Sequence, residues 1–112
     1  MEEILYDTNI LIEFIKRNNF TIDGYTTILN VIEFPKAVSL KNLKVIYPNT
    51  EDYYKSLIIA AKLLKRGTPI PAIDIIIAAV SINYDLVLIT KDRHFKYIKM
   101  VEPKFKLQIA HM

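Results

Sequence analysis

Apolar positions along the chain switch between strand-like and helix-like spacing, and the switches mark its elements. Residues 3–6, EILY, read as a short strand ending at Asp7. In TNILIEFIKR, Ile10, Leu11, Phe14 and Ile15 recur at helical spacing, with Thr8 or Asn9 placed to cap the start. FTIDGYTT holds an Asp23-Gly24 turn followed by a short strand. ILNVIEFPKAV reads as a helix interrupted at Pro35, because proline disfavours α geometry at Phe34. LKVIYP is a strand closed by Pro48. The clearest helix is TEDYYKSLIIAAKLLKRG: Thr50 caps it, Glu51 and Asp52 sit at its positive end, Lys62, Lys65 and Arg66 at its negative end, and Gly67 stops it. After TPIP, residues 72–83 form a second long apolar helix. DLVLIT is then a nearly continuous apolar strand, of the kind covered on both faces. A short helix near 93–99 and a strand near 106–110 finish the chain. Alternating strands and helices predict an α/β architecture around a mainly parallel sheet. No repeat, low-complexity tract or linker divides residues 1–112, which read as one domain.

The chain has 112 residues, enough for a core without covalent staples. Its hydrophobic fraction of 52% is slightly above the usual range of about 45–50%. That surplus agrees with an apolar face shared with a partner. The absence of cysteine excludes disulfides and thiolate metal sites, and His94 and His111 alone are too few for a typical zinc cage. A metal here would be held by oxygen, which points to Mg²⁺ or Mn²⁺. No apolar run reaches the roughly 18 residues of a membrane span and no signal peptide follows Met1, so the expectation is a cytoplasmic protein with no membrane partner. The net charge of +3 is unevenly placed: Lys91, Arg93, Lys96, Lys99, Lys104 and Lys106 face only Asp92 and Glu102 in the last segment. Such an excess suits a polyanion, and equally an ordinary solvated surface.

Most acidic residues have ordinary explanations. Glu2, Glu3, Glu51, Asp52 and Glu102 lie at termini or in a first helical turn, Asp23 and Asp85 in turns, and Glu13 on a polar helix face. Four resist that account: Asp7 at the end of the first strand, Glu33 on an otherwise apolar helix face, Asp74 opening an isoleucine-rich helix, and Asp92 at the end of LVLITKD. A carboxylate is costly to bury unless something pairs with it. Ligands of parallel α/β sheets gather beyond the carboxyl ends of the strands, where Asp7 and Asp92 fall. Asp74, in the first turn of the helix feeding the Asp92 strand, is expected near the opposite edge, so periodicity alone does not bring it to the others.

The ordered pieces DTNILI, TTILNVIEF and IPAIDIIIAAVSINYDLVLITKDRHF resemble the PIN-domain family, and within it the compact ribonuclease toxins of VapC type. The resemblance runs from Ile4 to Phe95. It implies a three-layer α/β/α fold in which Asp7, Glu33, Asp74 and Asp92 converge on one or two Mg²⁺ or Mn²⁺ ions, with Asp74 reaching the shared cleft. Asn9 and Thr90 match supporting polar positions, although Asn9 also serves as a helix cap and Thr90 as a strand residue. Where many members carry a second acid after the last aspartate, this chain has His94, an imidazole able to ligate Mn²⁺ or contact a phosphate. Pro35 close to Glu33, and a short segment between Asp7 and Glu33, are further departures from the pattern.

The implied activity is metal-dependent hydrolysis of RNA phosphodiester bonds, with Asp7, Asp74 and Asp92 as ligands and Glu33 as a ligand directly or through water. Clustered carboxylates alone repel a polyanion; with divalent cations the sign inverts, and a metal pair steadies attacking and leaving oxygens. Lys91, Arg93 and Lys96 are the candidate RNA contacts. The resemblance also implies a small antitoxin partner, and a homodimer is common among relatives. Three other readings stand beside it: a free-standing RNA-processing nuclease, a catalytically silent binding module, and a phosphate-accepting receiver or phosphatase-like domain with Asp7 as nucleophile. The last leaves Glu33 and Asp74 unexplained.

Overall fold

The computed structural model describes residues 2–112. The chain runs β1 (Ile4–Tyr6), α1 (Thr8–Lys16), β2 (Thr21–Thr27), α2 (Ile28–Glu33), a 3₁₀ turn (Pro35–Ser39), β3 (Lys41–Ile46), α3 (Thr50–Arg66), α4 (Ala72–Asn83), β4 (Val87–Thr90), α5 (Phe95–Val101) and β5 (Lys106–Ile109). All strand pairs are parallel, in the order β3-β2-β1-β4-β5. From β1 the chain steps outward twice in one direction, then crosses β1 and steps twice in the other. Right-handed crossovers therefore put α1 and α2 on one face and α3, α4 and α5 on the other.

The two packed cores follow that division. On one face Leu11 of α1, Ile22 of β2, Ala37 of the 3₁₀ turn and Leu40 just after it cluster with Tyr6, Phe14 and Phe34. On the other, Leu5 and Leu88 of the sheet meet Ile59 and Leu63 of α3, Ile77 and Val80 of α4, and Phe95 and Ile98 of α5. Leu5 and Tyr6 point to opposite faces, as the strand period requires. Helix α4 is buried nearly all round, which explains its unbroken apolar run. The result is the three-layer α/β/α arrangement around a parallel sheet, and among the described residues no helix is long and apolar enough to cross a membrane.

Several local expectations are corrected. Helix α1 is capped by Asp7 itself, whose carboxylate accepts from the Thr8 amide, and α3 by Asn49 in a reciprocal capping box with Asp52. Asp23-Gly24 is no turn but part of β2, at a register shift between Thr21 and Gly24. An Asp-Gly reversal needs antiparallel flanks, and every neighbour here is parallel. Gly24 is required for close approach: a Cβ there would lie 2.6 Å from Cε2 of Tyr6, at a backbone φ of +149°. Glu102 is not a loose terminal acid but is buried between Lys55 (2.9 Å) and Lys62 (2.7 Å).

The expected place of Asp74 is also overturned. Helix α4 hands the chain to β4 through a tight turn in which Ser81 Oγ donates to the Leu86 carbonyl at 2.8 Å. A helix that ends at the foot of a parallel strand runs antiparallel to it, so its first turn lies at the strand's carboxyl end. Asp74 therefore starts on the same edge as Asp7 and Asp92. Asp52, at the start of α3, accepts from Asn83, at the end of α4, at 2.9 Å, so the two helices form an antiparallel pair.

Candidate metal centre

Strand order reverses between β1 and β4, and a crevice opens there because α1 leaves toward one face while the chain after β4 leaves toward the other. Asp7, Thr8, Asn9, Ile12, Glu33, Asp74 and Asp92 line this cleft, of about 370 Å³. All four acids singled out from the sequence thus share one space, together with Asn9.

Asp7 is the most enclosed, at 4% exposure. Its Oδ1 accepts from the Thr8 amide (2.8 Å) and Asn30 Nδ2 (3.0 Å), and its Oδ2 from the Thr90 hydroxyl (2.6 Å). Burial pushes its carboxyl above the usual range; the Thr90 and Thr8 hydrogen bonds pull against that, and Asp92 and Glu33 reinforce it. Thr90 Oγ1 also accepts from the Asp92 amide (3.0 Å), and Asn9 Oδ1 from the Lys91 amide (3.1 Å), so the Thr90–Asp92 turn is tied to the start of α1.

Glu33 ends α2. The chain breaks at Phe34 (φ −142°, ψ 79°) ahead of Pro35, yet Glu33 still faces the cleft, where its Oε1 accepts from Thr8 Oγ1 at 2.9 Å. It is exposed rather than packed on an apolar face. Asn30, fully buried one helical turn earlier, donates to both Asp7 and Thr8 while its Oδ1 accepts from Thr27 Oγ1 at 2.6 Å. Asn30, Thr8 and Thr27 were not among the sequence candidates. A polar residue three positions before Glu33 in an apolar helix is the signal that marks Asn30, because a buried amide needs partners.

The tightest donor set is Asp74, Asp92 and His94, whose ligand atoms lie within 4.8 Å of one another. Asp7 and Glu33 line the same cleft outside that closest set. Nε2 of His94 lies 2.8 Å from Asp74 Oδ2, an ion-pair contact whose angle is too bent for a well-formed hydrogen bond. An imidazole nitrogen beside two carboxylates is a donor set that could hold a divalent cation. Burial raises the Asp74 carboxyl's pKa, His94 opposes this, and Asp7 and Asp92 add to it.

The basic residues divide. Lys91 leans on Glu13 at 3.6 Å, Lys106 is held between Glu2 and Asp85 at the far edge of the sheet, and Lys99 donates to the Pro103 and Phe105 carbonyls. Arg93 and Lys96 are exposed and, among the described residues, carry no ion pair. They line a second cavity with His94, Tyr97 and Met100.

An α/β/α sandwich with an acidic crevice at its switch point is the class these features define. Among solved structures, the chain is similar to one of the DNA-bound VapBC of Salmonella typhimurium (22% identity, 97% of this chain and 98% of that one, TM-score 0.77). It is likewise similar to one of VapBC2 of Rickettsia felis bound to a promoter fragment (20%, 95% and 97%, 0.76). A third is VapBC-5 of Mycobacterium tuberculosis, from the VapBC family of toxin–antitoxin systems (16%, 100% and 100%, 0.74). The chain has the fold of these structures over nearly its whole length, as the sequence resemblance implied. No family model and no curated protein matches the sequence.

Proposed function

We propose that this protein is a divalent-metal-dependent endoribonuclease and the toxin of a toxin–antitoxin pair. The observation that carries the reading is the meeting of Asp7, Glu33, Asp74 and Asp92 in one cleft, with Asp74, Asp92 and His94 close enough to share an ion. Asp74, Asp92 and His94 would hold Mn²⁺ or Mg²⁺, with Asp7 and Glu33 completing the shell directly or through water. The bound cation supplies charge neutralisation for the phosphoryl oxygens and acidifies the attacking water.

The chain's own residues do the rest. Thr90 and Asn30 hold the Asp7 carboxylate in one orientation, and the Thr90 bond opposes the upward pull of burial on its pKa. Thr8 holds Glu33 toward the same space. Cleavage with water as nucleophile leaves a 5′-phosphate and a 3′-hydroxyl. Arg93 and Lys96 offer charge to the flanking RNA backbone. The antitoxin partner rests on likeness to toxin–antitoxin complexes.

Defined RNAs incubated with pure protein in Mg²⁺, Mn²⁺ or EDTA test the reading. Cleavage should require metal and fall at least about a hundredfold in Asp74→Asn, in line with losing an electrostatic contributor of this kind. Metal-independent cleavage, or an Asp74→Asn variant as active as the parent, overturns it.

A further inference from the structure

We infer that the cavity beside the metal centre is a nucleotide subsite, in which a base stacks on Tyr97 and Met100 while Arg93 and Lys96 hold the adjoining phosphate. The ligand's identity rests on the nuclease reading above. This cavity, of about 530 Å³, is lined by Arg93, His94, Lys96, Tyr97 and Met100. Four of the five recur at helical spacing along the turn before α5 and α5 itself, so they form a single stripe. His94 belongs to both places: its ring nitrogen faces Asp74, and the ring borders the cavity. A strand whose phosphate sits at the acids thus has its neighbouring nucleotide delivered here.

The lining is chemically mixed in a way an ordinary surface stripe is not. Tyr97 is 44% and Met100 55% exposed, although α5 buries Phe95 and Ile98 completely on its other side. Arg66, arriving from the end of α3, places Nη2 3.7 Å from Met100 Sδ. Arg93 and Lys96 thus line the cavity with a flat aromatic and a polarisable thioether, Arg66 touches the thioether, and no carboxylate lines the cavity. Cationic grooves with exposed aromatic faces are how single-stranded nucleic acid is gripped without sequence readout. The charge complementarity selects RNA over an acid-free apolar partner.

Fluorescence anisotropy with labelled twelve-nucleotide oligo-A and oligo-U in EDTA reads the subsite without cleavage. Tyr97→Leu should weaken binding by roughly five- to tenfold, with Tyr97→Phe close to the parent. Arg93→Gln should weaken binding and flatten its salt dependence by about one unit of slope. The Mn²⁺-induced rise in melting temperature, measured alongside, should be the same in Tyr97→Leu as in the parent. An affinity within twofold of the parent for Tyr97→Leu, or no RNA binding by the parent, overturns the proposal. So does a dimer that Tyr97→Leu converts to monomer at unchanged RNA affinity, because the face would then be a contact between copies. Failure of the nuclease reading shows separately, as absent metal-dependent cleavage while anisotropy still reports the subsite.

Discussion

Thr90→Val isolates one hydroxyl at the centre of the acidic network. Thr90 is fully buried, and valine fills the same volume, so no cavity contributes. The hydroxyl donates to Asp7 Oδ2 at 2.6 Å and accepts from the Asp92 amide at 3.0 Å; its 3.4 Å contact with Asn9 is too long to count for much. A hydrogen bond to a charged group contributes about 1.5–3 kcal/mol and a neutral one about 1 kcal/mol, giving a loss of about 2.5–4 kcal/mol at neutral pH. For a domain of this size that lowers the melting temperature by roughly 10 to 20 °C.

The pH dependence separates this explanation from a general packing defect. Burial already holds the Asp7 carboxyl above its usual pKa, and the Thr90 bond is the strongest influence opposing that. An acid whose folded pKa exceeds its unfolded value binds its proton more tightly when folded, so its contribution to stability falls as pH rises through that interval. Removing the hydroxyl raises the folded pKa further. The gap between Thr90→Val and the parent should therefore be smallest where Asp7 is protonated, where the lost Asp92 amide bond remains, and widen as pH climbs through the folded pKa of the parent and then of the variant. Urea unfolding in EDTA, from about pH 4 to about pH 8, measures it, and Thr90→Ser should recover most of the loss. A gap that is flat across this range, or below about 0.5 kcal/mol at neutral pH, refutes the reasoning.

Three other outcomes follow from the same contacts. Because burial and the neighbouring Asp7 and Asp92 raise the Asp74 pKa against the pull of His94, its ionised form costs stability without metal; Asp74→Asn should melt no lower than the parent in EDTA at neutral pH and lose the Mn²⁺-induced shift. Asn30→Leu removes amide bonds to Asp7, Thr8 and Thr27 from a fully buried position and should cost roughly 2–3 kcal/mol in urea unfolding. Burial alone raises the pKa of Glu102, but hydrogen bonds and charge from Lys55 and Lys62 outweigh it and leave the carboxyl below its usual range. Its contribution is thus present above the unfolded pKa and lost as pH falls through the folded one, so acid titration should destabilise the parent more steeply than Glu102→Gln.

What could be read from the sequence divides by range. Local spacing placed every strand and helix to within a few residues, most sharply at α4 and β4, which are largely buried and whose apolar runs are long. It failed where tertiary partners choose. Asp23-Gly24 has turn chemistry but sits between parallel strands, and Thr50 is a fair cap that loses to Asn49 because Asp52 completes the box there. The acids were legible as anomalies, while Asn30 escaped because its three partners are the cap of α1, its first residue and the end of β2, two of them distant in sequence.

Asp74 shows how far topology alone reaches once it is applied to the right pair of elements. The apparent obstacle came from treating the helix's start as remote from the end of the strand it feeds. A helix tied directly to the foot of a parallel strand has only one way to run, and that direction brings its first turn to the carboxyl edge. With β1 and β4 adjacent at the switch point, Asp7 and Asp92 are already neighbours, and Asp74 is delivered to the same cleft by the crossover. The same carboxylate of Asp7 that faces this cleft also caps α1, and the bonds from Thr8, Asn30 and Thr90 that orient it tie β1, α2 and β4 together. The fold therefore stabilises a geometry in which like charges converge, and the proposed cation would relieve that repulsion. Substitutions that neutralise one of the converging acids should for this reason separate stability from function, whereas substitutions in the network behind Asp7 should lower both.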